Sequence, residues 1–89
     1  MSKTAIEQNL RQTFKPTFLE VVDESYLHAG HNHDAKQGGT HFKVIIVSDA
    51  FKSKSLVNRH RLVYQTLQQA GITYHALAIT AKTQDEYSA

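Results

Sequence analysis

A chain of 89 residues, 40% of them hydrophobic, can fill one small core but not two, so a single domain over residues 1–89 with a surface site is expected rather than an enzyme-sized cavity. Ten Lys and Arg against eight Asp and Glu leave a formal charge of +2, too small a surplus to name nucleic acid as the partner. Cysteine is absent, which excludes disulfides, thiolate catalysis and any zinc or iron–sulfur site built from the chain's own sulfur.

The opening MSKTAIEQNLRQTF lacks the apolar core of a signal peptide, and no window approaches the ~18 apolar residues of a membrane span. A soluble, cytoplasmic protein is therefore expected. Thr4-Ala5-Ile6-Glu7 matches a capping box, and Ile6, Leu10 and Phe14 repeat every four residues as one apolar stripe. That helix should stop near Phe14, because Pro16 disfavours helical geometry at Lys15. Phe18 to Glu24 alternates like a half-buried strand, with Leu19 and Val21 on one face and Glu20 and Glu24 on the other. Residues 26 to 41, YLHAGHNHDAKQGGTH, then hold four of the six histidines and three glycines. So long a polar stretch reads as a loop with a function or as disorder.

Phe42 to Val47 is a β-branched run of strand length, the most buried strand. Ser48 to Lys54 is long for a plain turn and has room for an extra helical turn; Ser53 or Ser55 can cap the helix after it. Leu56, Val63, Leu67 and Ala70 share one side of that long helix, with His60 on the same side and Gly71 as its left-handed terminator. Its phase turns the His60 ring toward the interior as a packed, hydrogen-bonded imidazole. Ile72 to Thr80 reads as a third strand, and Thr83-Gln84-Asp85-Glu86 as a second capping box opening a short last helix. The order predicts an α+β fold, a small three-stranded mixed sheet with helices on one face.

A helical crossover returns the third strand parallel to the second. His75, fourth in that strand, would then sit roughly 10 Å in from Ile72 at ~3.3 Å per residue, within reach of His28, His31 or His33. Two imidazoles with open coordination positions suit a soft to borderline metal, of which histidine-ligated iron–sulfur centres are one form.

FLEVVDESY at 18–26, HFKVIIVSD at 41–49, LVNRHRLVY at 56–64 and HALAI at 75–79 together resemble the BolA family, closest to its founding bacterial branch. The resemblance implies a class II KH-like αββααβα fold and a role in stress response, morphology and iron homeostasis. It further implies a monothiol glutaredoxin partner and a shared [2Fe-2S] cluster, with sulfur ligands from the glutaredoxin cysteine and glutathione. The matching positions for the chain's own ligands are His75 and His28, with His31 and His33 as alternates. The isolated chain would then be a cofactor-free monomer, and the complex a heterodimer. Against the family pattern, Lys52-Ser53 replaces a frequent acidic-glycine pair, and Tyr87 stands where Trp is common.

The resemblance also implies DNA-binding transcription regulators. Arg59 and Arg61 flank His60 at angles pointing away from the predicted core, where they would be solvated and able to contact promoter phosphate. Lys43, Lys52 and Lys54 could extend the patch, and Asn58 and Arg59 are candidate base readers. No GXXG loop lies between Val47 and Arg61, which weakens the usual KH mode of clamping nucleic acid. Nucleophile elbow, phosphate-cradling glycine loop and paired carboxylates are all missing, so an enzyme is not expected.

Overall fold

The computed structural model describes residues 3–25 and 41–89. They form α1 (Lys3–Phe14), β1 (Phe18–Asp23), β2 (His41–Val47), a 3-10 turn (Asp49–Phe51), α2 (Leu56–Gln69), β3 (Ala76–Lys82) and α3 (Gln84–Ser88). With the 3-10 turn as the extra helix, this is the expected α+β order. The sheet is mixed: central β2 pairs antiparallel with β1 and, across the α2 crossover, parallel with β3.

Register explains the layering. Leu19, Val21 and Asp23 pair with Ile46, Val44 and Phe42, which pair in turn with Ala81, Ile79 and Leu77. These rows share one face. Against it α1 sets Ile6, Leu10 and Phe14 and α2 sets Val63 and Leu67, in one buried cluster that includes Phe51. Each such side chain withdrawn from water contributes roughly 1.5–3 kcal/mol before entropy is counted. The opposite face shows Glu20, Lys43, Ala78 and Thr80 to solvent, so the alternation read from the sequence has a direct cause.

The element ends follow local chemistry. α1 starts at Lys3, placing Thr4 inside the helix instead of at its cap; Glu7 lies 3.9 Å from Lys3 Nζ. It stops at Phe14 because Lys15, ahead of Pro16, turns to φ +46°. Ser55 caps α2, its Oγ accepting from the Asn58 N–H at 3.2 Å. At the other end Gly71 takes φ +73°. There Gly71 N–H donates to the Gln68 carbonyl and Ile72 N–H to that of Leu67, both at 3.0 Å, the paired bonds of a Schellman motif. The capping box at Thr83 is complete, with Thr83 Oγ1 accepting from Glu86 N–H and Glu86 from Thr83 N–H.

Two expectations need correction. β3 begins at Ala76, not Ile72, because the Schellman closure occupies Gly71 and Ile72 and the ladder can start only where β2 does, with His41 opposite Ala76. His75 therefore precedes β3 rather than standing fourth within it. In α2 the buried stripe is Arg59, Val63 and Leu67. Leu56 has the right helical phase but lies in the first turn, at the rim of an open groove, and is 65% exposed; Ala70, beyond the last full turn, is exposed too.

Candidate functional site

One end of the sheet carries imidazole. His75 is exposed immediately before β3, and the parallel register brings it beside His41, the first residue of β2. Their rings lie with centroids 5.6 Å apart and planes inclined by 15°, a stacked pair. His41 is held through its backbone: its N–H donates to Ser25 Oγ at 3.1 Å, and its carbonyl accepts from Glu24 N–H at 2.7 Å. Ser25 is buried, and its own N–H donates to Asp23 Oδ1 at 2.9 Å. This clamp fixes the position from which the second imidazole projects.

His41 was not among the sequence candidates. Its signal was present in the parallel crossover, which must bring the starts of β2 and β3 together, but the early start predicted for β3 moved His75 out of register with it. His28, His31 and His33 lie outside the described residues. Among the described residues no three metal-binding side chains gather, and those at this end supply the two imidazoles of His41 and His75.

The other end is closed around a cation. Arg59, expected in solvent, is 6% exposed. Its Nε donates to the Lys54 carbonyl at 2.9 Å and Nη1 to the Ala81 carbonyl at 3.1 Å. Nη1 and Nη2 also grip the two Glu86 carboxylate oxygens at 2.6 and 3.1 Å. Helical phase points Arg59 away from the predicted core; the fork reaches inward because four acceptors await it, the condition under which a charge is tolerated in a core. Hydrogen bonding to Glu86 raises the Arg59 pKa. The reciprocal bond, with help from the Thr83 N–H, lowers that of Glu86 to about 2. Arg59 is thereby removed as a base reader or phosphate ligand on a free surface.

The remaining basic candidates divide. Lys54, Asn58 and Arg61 are exposed and line a shallow hollow of about 370 Å³ on α2 with Leu62 and Gln65. Lys52 is exposed and lies 3.7 Å from Asp49 Oδ2. Lys43 projects from the sheet face opposite α2 and cannot extend that patch. His60 is half-buried, not enclosed. Together with Leu56, Ile79, Lys82 and Glu86 it lines a groove of about 420 Å³ between α2 and β3.

The family model described as BolA-like protein matches residues 10–86. The chain belongs to the BolA family. It is 45% identical over 89 residues to the DNA-binding transcriptional regulator BolA of Escherichia coli K12, covering 98% of this chain and 80% of that protein. Among solved structures, the BolA domain of SufE1 from Arabidopsis thaliana superposes with a TM-score of 0.81 at 47% identity, over 97% of this chain and 98% of that one. BolA1 from the same plant gives 0.80 at 38% identity, over 97% and 95%. The three-stranded mixed sheet described above is thus the BolA fold. Among the described residues of this BolA-family chain, no helix is long and apolar enough to cross a membrane.

Proposed function

We propose that this chain is a cytoplasmic, non-enzymatic regulatory adaptor, monomeric alone, that joins a monothiol glutaredoxin through a shared [2Fe-2S] cluster in stress response and iron homeostasis. The observation that supports this reading is the exposed His75 at the open end of the sheet, beside a second imidazole and in a chain with no cysteine. The donor set fits a cluster that takes nitrogen from this side and sulfur from elsewhere. His75 would hold it with one loop histidine, His28 or its alternates His31 and His33, while the glutaredoxin cysteine and glutathione supply the rest. When bound, the cluster supplies one-electron redox chemistry and sensitivity to oxygen and iron supply. The chain's own work is to present the imidazole: β3 sets the His75 backbone, and the His41 ring stacks beside it.

The test is the visible absorption and circular-dichroism spectrum of the chain mixed with a monothiol glutaredoxin, glutathione, iron and sulfide. His75→Ala should abolish or sharply change the heterodimer spectrum, and His28→Ala should act more mildly because His31 and His33 offer substitutes. An unaltered His75→Ala spectrum removes this residue as a ligand.

A second reading, promoter binding, is favoured by the exposed Lys54, Asn58 and Arg61 around one hollow and by the name of the Escherichia coli relative. Arg61 and Lys54, with Lys52 nearby, would meet phosphate, leaving Asn58 to reach a base edge. Removing one basic side chain that neutralises a phosphate should reduce the log–log salt slope of duplex binding by about 0.9. An unchanged slope for Arg61→Ala with Lys54→Ala moves the phosphate-binding surface elsewhere.

A further inference from the structure

We infer that His41 and His75 together form a site for a single borderline divalent cation, Zn2+ or Cu2+, in the chain without any partner. The inference does not rest on the glutaredoxin reading. The cluster proposed above takes His75 with a loop histidine, whereas the cation takes His75 with His41.

The parallel register sets His41 opposite Ala76, the residue after His75, so the two imidazoles rise from adjacent positions at one end of the sheet. Two ring nitrogens reaching one ion at about 2.0–2.1 Å each must come within about 4 Å of one another. With centroids at 5.6 Å, the rings already approach that condition. A turn about the side-chain torsions converts the stacked pose to a convergent one, and exposed His75 has open solvent in which to make it. His41 has its backbone fixed on both sides, by Ser25 Oγ and by the Glu24 N–H. Little backbone order therefore has to be gained on binding, the condition under which a two-ligand chelate holds a metal that one imidazole would not. Imidazole nitrogen selects the borderline cations over Mg2+ or Ca2+, and Cu2+ should bind more tightly than Zn2+. Water fills the remaining positions.

The test is a titration with ZnCl2 alone, followed through the imidazole proton resonances and by calorimetry. The protein carries His28→Ala, His31→Ala and His33→Ala, so that the loop cannot supply ligands. The His41 and His75 signals should move together and saturate near one equivalent. His41→Phe keeps an aromatic ring against His75 but has no nitrogen, and should weaken binding about tenfold or more. His41→Ala should weaken it similarly, and CaCl2 should move neither signal. Retained affinity in His41→Phe would overturn the inference, as would a His75 signal that ignores zinc. Since no glutaredoxin is present, these outcomes are independent of whether the cluster forms.

Discussion

The two ends of the sheet are opposites. Where β2 and β3 end, polar groups are paired inside the fold. Arg59 binds two carbonyls and Glu86. Buried Ser48 donates its hydroxyl to the Phe14 carbonyl at 2.7 Å and its N–H to the Lys82 carbonyl at 2.9 Å. Where they begin, backbone is clamped but imidazole is presented: Ser25 and Glu24 hold His41, and His75 stands in solvent. One end uses its polar chemistry to hold the fold, and the other keeps it available. A charged residue in a basic motif is thus structural, while a histidine just outside a strand is the accessible one.

The contrast breaks first at Arg59. Arg59→Ala should destabilise by about 2–4 kcal/mol, since it strands two carbonyls and empties a filled space, while half-exposed Glu86 can regain water. Arg61→Ala, on the exposed side of the same helix, should stay within about 0.5 kcal/mol. Urea denaturation of both variants measures the difference; equal effects would mean that Arg59 is not the keystone of its end.

Acid should attack the closed end selectively. Glu86 is held at about 2 against an ordinary 4.5. Its pairing therefore contributes in full above the unfolded pKa of 4.5, and that contribution is lost as pH falls toward 2. Glu86→Gln should be less stable than the parent at pH 6, with the gap closing by pH 2. A gap independent of pH would assign the loss to packing instead of charge.

Smaller effects sharpen the same picture. Thr83→Ala removes half of a capping box at the closed end and should cost about 1 kcal/mol by thermal or chemical denaturation. Ser53 takes φ +63°, the left-handed region that favours glycine, at the position where the family pattern often has glycine. Ser53→Gly should stabilise by about 0.5–1 kcal/mol, and a loss would show that the turn gains something from the serine side chain.

Most of the fold was legible because it rests on period and punctuation: Ile6, Leu10 and Phe14 at four-residue spacing, the β-branched run to Val47, Gly71, and Thr83 with Glu86. What failed was inward and outward direction near element ends. Helical phase alone put Leu56 inside and Arg59 outside, but a wheel cannot show that the first turn of α2 faces an open groove, nor that Ala81, Lys54 and Glu86 converge on a guanidinium from three other segments. The site was half legible. His75 is legible as an exposed imidazole at the sheet end; His41 was hidden because strand register, on which its proximity depends, is fixed by hydrogen bonds with no sequence signature of their own.

The most direct test of the division between the ends is His75→Ala measured twice on one preparation, for its unfolding midpoint and for the visible circular dichroism of the mixture with monothiol glutaredoxin, glutathione, iron and sulfide. An exposed residue outside the ladder should change stability by no more than about 0.5 kcal/mol, while the cluster signal disappears or is strongly altered. A lowered midpoint with an intact cluster signal would contradict the account, making His75 a structural residue and leaving the open end without its proposed chemistry.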